Sequence, residues 1–227
     1  MSCISVIIPA LNEKDGIEKT INDIPRAAIE KAGYNLQIIV VDGGSKDGTP
    51  ELAKKAGAEV VIDLRRGYGR AYKTGFAIAK GDIIVTSDAD GTYPVEEIPK
   101  LVQILENENL DFITTNRFAL MDKKTMSFRN RLGNVILSST MMILFRLKIK
   151  DSQSGMWVFR SYILNSLVLK SNTPLSQEIK IEACHFGGYA WKEVPIQYRQ
   201  RMGHVKLGGW KVGLVNLTNM FKKRIVR

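Results

Sequence analysis

Residues Ile83 to Pro94 read IIVTSDADGTYP, an apolar, β-branched run that ends abruptly in two aspartates one residue apart. A run of this length, closed by a Gly-containing turn, predicts a buried strand that delivers Asp88 and Asp90 to its C-terminal edge. Ligands of open α/β sheets bind at that edge. An Asp-Ala-Asp step there offers hard oxygen donors to a divalent cation, which typically also takes oxygens from a substrate diphosphate and from water. Two carboxylates so close repel each other, so a positive group is expected between them. The plain alternative is a turn carrying two solvated acids.

The chain on the N-terminal side supports the strand reading. Ile4–Ile8 is a β-branched run ended by Pro9, and the loop PALNEKDG then offers Asn12 and Asp15 as helix caps. Apolar spacing at Ile17, Ile21 and Ile24 predicts a helix to about Lys31. A second strand over Asn35–Val41 runs into Asp42-Gly43-Gly44-Ser45-Lys46-Asp47-Gly48-Thr49, followed by a helix from Pro50 to Ala56 and a strand near Val60–Ile62. This alternation predicts a parallel sheet with right-handed crossovers, and loops after Ile8, Val41 and Ser87 should gather at one edge. Gly67-Tyr68-Gly69 opens a helix to about Lys80. The glycines either let a backbone approach a phosphate or simply make a tight turn. Pro94 starts a helix to about Glu106, and Leu110–Thr115 is a further strand.

Charge divides the 227 residues unevenly. Residues 1–115 hold 13 Lys and Arg against 18 Asp and Glu, a balance of −5, whereas residues 116–227 hold 20 against 5, a balance of +15. The basic half therefore either spends its charge on solubility or faces something anionic: nucleic acid, a phosphate-bearing substrate or a membrane surface. No aromatic-interleaved or helix-turn-helix pattern supports nucleic acid. Cys3 and Cys184, far apart and without CxxC spacing, indicate neither a disulfide framework nor zinc. The N-terminus lacks a signal-peptide pattern and no apolar run reaches the roughly 18 residues of a membrane span.

The basic half begins with Lys123, Lys124, Arg129 and Arg131, then Val135–Phe145, which suits a core helix or one lying in an interface. DSQSGMWVFR over Asp151–Arg160 turns sharply at Gly155 before a strand; Pro174–His185 reads as a helix bearing Glu178 and Glu182, and Tyr189–Tyr198 as a strand. Gly208–Arg227 places Trp210, Leu214, Leu217 and Phe221 near one helical face, with Lys222, Lys223, Arg224 and Arg227 at the end, a membrane-surface pattern whose alternative is a helix packed on its own domain. His185 and His204 show no metal-like spacing, and Trp157 and Trp191 read as core aromatics.

Five motifs in order, VIIPALNE at 6–13, VVDGGSKDGT at 40–49, DADGTYP at 88–94, DSQSGMWVF at 151–159 and YRQRMGHVKL at 198–207, resemble the inverting glycosyltransferases of the GT-A fold. More narrowly they look like the polyprenyl-phosphate enzymes, the dolichyl-phosphate mannose or glucose synthase group and its archaeal relatives. The resemblance implies an α/β, Rossmann-like nucleotide-sugar-binding half (1–115) with a mostly parallel sheet, and an acceptor half (116–227) with amphipathic interface helices, in one domain. It assigns Pro9, Ala10, Asn12, Glu13, Asp42, Lys46, Asp88 and Ala89 to the nucleotide, and Asp88 and Asp90 to Mg²⁺ or Mn²⁺. Where the mannose synthases commonly carry Gln two positions after the second aspartate, this chain has Thr92. That departure favours UDP-glucose or UDP-N-acetylglucosamine over GDP-mannose as donor.

An inverting transfer must neutralise a departing nucleoside diphosphate and present a nucleophile on the opposite face. A sugar hydroxyl needs a general base, whereas a phosphate monoester, with a second pKa of about 6, is already ionised and asks only for cations. Arg117, Arg129, Arg131, Arg199, Arg201 and Lys206 are the expected cations, Arg201 beside the reacting groups and Ser138 adding a hydroxyl. Arg129 and Arg131 alternatively serve as ordinary surface charges, and Lys206 as a turn cap. Glu178 is expected to orient the sugar or pair with an arginine; the rival reading makes it the base for a hydroxyl acceptor. The expected setting is the cytoplasmic face of a membrane, reached peripherally or through an anchoring partner subunit. Other rivals are a nucleotidyltransferase, which would release pyrophosphate, and a non-enzymatic phosphate- or membrane-binding module.

Overall fold

The structure is a computed structural model that describes residues 2–122, 125–172, 175–203 and 209–226, with side chains in the last segment from 212 onward. Lys206, His204, Lys123, Lys124, Pro174, Gly208 and Arg227, all named above, lie outside these residues.

Among the described residues seven strands form one sheet in the order β3-β2-β1-β4-β6-β5-β7: β1 Cys3–Ala10, β2 Asn35–Asp42, β3 Glu59–Ile62, β4 Ile83–Thr86, β5 Phe112–Asn116, β6 Trp157–Arg160 and β7 Trp191–Pro195. All neighbours are parallel except β6, which runs antiparallel between β4 and β5. The expected mostly parallel sheet is therefore present, with one inverted strand. The expected boundary between the halves falls inside the pairing, since β6 and β7 complete the sheet begun by β1–β5.

Side chains alternate across each strand, and both faces are covered, which is why the strands read as unbroken apolar runs. Ile4, Val6, Ile8, Ile38, Val40, Ile83 and Val85 enter the core on one face, with Ile17, Ile21, Ile98 and Leu101 from the helices above them. Ile7, Ile39, Val41 and Ile84 enter the core on the other, against Tyr72, Leu137, Met141, Phe145, Ile179 and Met220.

The first face carries α1 (Ile17–Asn22), α2 (Arg26–Lys31), α3 (Thr49–Lys55) and α5 (Ile98–Asn107); the second carries α4 (Tyr68–Ile78), α6 (Phe128–Phe145), α7 (Leu175–Ile181) and α8 (Gly209–Ile225). The single helix expected over 17–31 is two, because Pro25 has no amide hydrogen to continue the first. The helix expected from Pro94 starts as a short 3-10 turn over Val95–Glu97, and α7 gives way to a π turn over Glu182–Phe186.

Helix α6 is buried on one side and exposed on the other. Leu137, Met141 and Phe145 face the core, while Phe128, Leu132, Val135, Ile136 and Ile143 stand exposed. Helix α8 packs against α6 and α7, with Leu217 of the expected apolar face half-buried against the core and the Trp210 side chain outside the described residues. Asn216, Met220 and Lys223, spaced as one helical stripe, turn inward, and Leu214 and Phe221 turn outward. Among the described residues no helix is long and apolar enough to cross a membrane.

Candidate active site

Strand β4 ends at Thr86, and the chain leaves the sheet through Ser87–Thr92, so both aspartates stand past its C-terminal end. Asp88 Oδ1 accepts the Tyr68 hydroxyl at 2.7 Å. Asp90 is buried; its Oδ1 accepts the Thr92 amide at 3.1 Å and the Thr92 hydroxyl at 2.7 Å. Its Oδ2 meets Arg201 Nη1 at 2.7 Å, and Arg201 Nη2 donates to Glu13 Oε1 at 2.5 Å. The positive group expected beside the two acids is thus a guanidinium from the far end of the sequence.

Burial and the Asp90 charge push the Asp88 carboxyl up to about 7, against the Tyr68 hydrogen bond and the Arg117 and Arg201 charges. Two hard carboxylates with this shortfall of positive charge fit a divalent cation. Among the described residues no group of three or more His, Cys, Asp and Glu is placed to hold a metal. The protein would therefore supply Asp88 and Asp90, leaving the other positions to substrate oxygens and water. Arg201 Nε is buried without a hydrogen-bond partner among the described residues, a donor suited to an anionic ligand.

The loops after β1 and β2 meet beside this turn. Asn12, in a left-handed conformation (φ 52°), donates its amide to Ser45 Oγ at 2.7 Å and accepts the Lys46 amide on its side-chain oxygen at 2.8 Å. Glu13 donates its amide to Thr49 Oγ1 at 2.8 Å. Pro9 and Ala10 lie in β1, Ala10 opposite Asp42. The resemblance assigns Asp42 to the nucleotide; its carboxylate is completely buried and accepts the Gly44 and Ser45 amides and the Ser45 hydroxyl. Asp42 shapes the loop, and Lys46 is the exposed side chain on it. Ala89 likewise points into the core. Gly16 makes this junction possible, because a Cβ there would lie 2.6 Å from the Ala89 carbonyl oxygen.

The tight-turn reading of Gly67-Tyr68-Gly69 holds over the phosphate one. The Gly69 and Arg70 amides both donate to the Asn172 carbonyl, at 2.7 and 3.3 Å, which closes the start of α4 to an anion.

On the other side two of the expected acceptor groups, Arg117 and Ser138, turn inward. Arg117 is buried and grips Asp151 through Nε at 2.7 Å and Nη2 at 2.9 Å, so its guanidinium is committed within the protein. Ser138 is buried and exchanges hydrogen bonds with Ser152. Both hold the Asp151–Gly155 loop. Gly155 donates its amide to Tyr93 Oη at 2.6 Å, accepts Thr86 Oγ1 at 2.7 Å, and could carry no Cβ without meeting Tyr68 Oη at 2.6 Å. The loop thus supports the tyrosine that holds Asp88.

Sequence reasoning missed Tyr68, Tyr93 and Lys180. Lys180, fully buried on α7, donates to the carbonyls of Asp151 and Ser154 at 2.8 and 3.0 Å. Burial pushes its ammonium down to about 7 despite the nearby Asp151 carboxylate. Its one sequence signal is a lysine between two isoleucines in an apolar helix. Gln153, Gln177 and Asn216 close a triangle of amides that fastens α8 to the same loop: Asn216 Nδ2 donates to Gln153 at 2.7 Å and Gln177 Nε2 to the Asn216 carbonyl at 2.6 Å.

Among the described residues Glu178 pairs with a lysine and with no arginine. It is buried and accepts the Lys170 and Ser171 amides, at 3.1 and 2.9 Å, and Lys223 Nζ at 3.0 Å; Lys223 also pairs with Glu182 at 2.7 Å. Lys223, expected in an exposed basic cluster, is therefore an interior counter-ion. Arg199 pairs with Glu96 on the surface, and Arg129 and Arg131 stand exposed at the start of α6.

Comparison with known proteins follows the same lines. The profile of glycosyl transferase family 2 matches residues 5–168. A dolichyl-phosphate hexose transferase of Haloferax volcanii is 33% identical over 92% of this chain and 90% of its own length. An undecaprenyl-phosphate 4-deoxy-4-formamido-L-arabinose transferase of Pseudomonas fluorescens is 38% identical over 44% of this chain and 31% of its own. In fold, glucosyl-3-phosphoglycerate synthase from Mycobacterium tuberculosis, solved with Mn²⁺, uridine diphosphate and phosphoglyceric acid, superimposes with a TM-score of 0.76 at 23% identity over 99% of this chain and 79% of its own. That enzyme is also solved with Mg²⁺ and uridine diphosphate. With a profile match across most of its length and a full-length relative at this identity, the chain belongs to glycosyl transferase family 2 and is a glycosyltransferase of the GT-A fold.

Proposed function

We propose that the protein, with residues 1–227 acting as one domain, transfers a hexose from a nucleotide-sugar donor to a polyprenyl phosphate at the cytoplasmic face of a membrane. The relatives' names point to such an acceptor. The observation that carries the reading to this chain is the state of the acids in the basic half. Four of the five Asp and Glu in 116–227 are committed: Asp151 is bound by Arg117, Glu178 and Glu182 by Lys223, and Glu193 accepts the Lys150 and Asp151 amides, while the fifth, Asp122, stands exposed before α6. Such committed carboxylates make poor general bases for a hydroxyl, and an ionised phosphate needs none.

In this reading an acceptor phosphate oxygen attacks the anomeric carbon in line, the bond to the diphosphate oxygen breaks with its electron pair, and the nucleoside diphosphate leaves. Mg²⁺ or Mn²⁺ held by Asp88 and Asp90 would neutralise the diphosphate charge. The Thr92 hydroxyl orients Asp90 instead of offering a third side-chain ligand, in line with UDP-glucose or UDP-N-acetylglucosamine as donor. Incubation with a short polyprenyl phosphate and a panel of nucleotide sugars, with and without EDTA, tests this. The expected result is EDTA-sensitive formation of a polyprenyl-phosphate sugar, with Glu178→Gln retaining turnover within about fivefold. Transfer only to hydroxyl acceptors, or loss of turnover in Glu178→Gln with substrate binding intact, overturns it.

The exposed apolar residues of α6 and α8, including Phe128, Ile143, Phe221 and Ile225, lie among the exposed cations Arg129, Arg131, Lys222 and Arg224. An apolar face among cations suits an anionic lipid surface. Phe128→Glu combined with Ile143→Glu should reduce sedimentation with anionic liposomes at least about tenfold, since each such side chain is worth roughly 1.5–3 kcal/mol when buried. Unchanged partitioning removes these helices from the membrane contact.

A further inference from the structure

We infer that Arg201 is a built-in counter-ion that holds the cation position on Asp90 until the donor arrives, so that loading of the metal and release of the Arg201 side chain are a single exchange. The inference rests on the reading that Asp88 and Asp90 hold the cation, and it concerns what must leave for the cation to enter.

The two oxygens of Asp90 are not equivalent. Oδ1 already accepts both the amide and the hydroxyl of Thr92. Oδ2 is the oxygen left for a cation, and it is the one that Arg201 Nη1 meets at 2.7 Å. A divalent ion bonds to a carboxylate oxygen at roughly 2.0–2.6 Å, so it and the guanidinium compete for the same space and the same lone pairs. The other arm of Arg201 reaches Glu13 at 2.5 Å, across 188 residues of sequence, so the guanidinium also ties the loop after β1 to the aspartate turn.

The backbone that carries Arg201 is fixed independently of its side chain. The Arg199 amide donates to the Thr92 carbonyl at 2.9 Å, and the Met202 amide to the Asp90 carbonyl at 3.0 Å. Gly91, at φ +74°, lies under Met202, where a Cβ would stand 3.2 Å from its sulfur. The backbone is therefore anchored at the rim of the site, so the side chain can be displaced without the chain leaving. Once displaced, it brings Nη1, Nη2 and the unpartnered Nε to an incoming anion, the donor diphosphate or the acceptor phosphate. A cation offered alone must expel Arg201 with no anion to receive it, so the metal should bind weakly alone and more tightly with a nucleoside diphosphate.

The test uses the full chain, Mn²⁺ as probe and spin resonance of free Mn²⁺ as readout, first without nucleotide and then with uridine diphosphate. Arg201→Gln should tighten Mn²⁺ binding by about fivefold or more, the scale of ordinary couplings between sites. In the unmutated protein, uridine diphosphate should tighten Mn²⁺ binding by more than it does in Arg201→Gln, because only the parent has a guanidinium to hand over to the diphosphate. Asp90→Asn serves as the reference. If it weakens Mn²⁺ binding while Arg201→Gln leaves the affinity unchanged or lower, or if the nucleotide tightens Mn²⁺ equally in both proteins, the counter-ion role is overturned and the cation site stands. If Asp90→Asn has no effect on Mn²⁺, the cation site itself falls.

Discussion

Asp90→Asn should lower sugar transfer at saturating donor by at least about 100-fold, the scale on which a charge-stabilising group aimed at a leaving group operates. The substitution keeps the size of the side chain and an oxygen that can still accept from Thr92, so the turn from Ser87 to Thr92 has no steric reason to change. What it removes is charge at the one oxygen that faces outward to Arg201. Asp88 does not replace it, because its Oδ1 is already bound to Tyr68 and one carboxylate is left to do the work of two. A variant that melts within about 2 °C of the parent, a shift of less than roughly 1 kcal/mol, and yet fails to turn over identifies the loss as chemical. Turnover within threefold across a range of Mg²⁺ and Mn²⁺ concentrations would remove Asp90 from the reaction.

The second large effect belongs to Asp151, which touches no substrate in this account. Asp151→Ala leaves the buried Arg117 guanidinium without its anion and removes the carboxylate beside Lys180. An uncompensated buried charge costs about 3–5 kcal/mol, so the melting temperature should fall by roughly 10 °C or more. Burial alone would raise the Asp151 carboxyl, but Arg117, through its charge and hydrogen bonds, and Lys180 hold it below the ordinary carboxylate value. A depressed folded-state value means that this stabilisation is complete above the ordinary carboxylate range and is lost as the pH falls below it. The variant should therefore differ most from the parent near neutrality and least in acid. Asp151→Leu with Arg117→Met should recover much of the loss, because apolar replacements of both partners leave no charge stranded. A single Asp151→Ala variant as stable as the parent at pH 7 would show the pair to be solvated.

The strands were legible because both faces of the sheet are buried, which leaves apolar runs such as Ile4–Ile8 and Ile38–Val41 with no polar register to confuse. The aspartate turn was legible for the opposite reason, a sudden pair of acids at the end of such a run. Two things escaped. The insertion of β6, antiparallel, between β4 and β5 depends on pairing partners distant in sequence, and nothing in WVFR names them. The charge balance of the second half was read as a surface facing phosphate, but Arg117, Lys180 and Lys223 turn inward to Asp151, to backbone carbonyls and to Glu178 and Glu182. Counting charges gives their sum; which of them are buried depends on contacts made across as many as 45 residues.

The inward stripe of α8 has a practical consequence for anyone wishing to trim the protein. Cutting away 208–227 to obtain a freely dispersed version would strip Lys223 from two interior glutamates and Asn216 from the amide triangle that braces the loop beside Tyr68. Such a shortened form would lose activity through collapse of the interior, whatever became of its affinity for lipid. Recoding the outward residues Leu214, Phe221 and Ile225 as polar ones, with the helix left in place, separates the two.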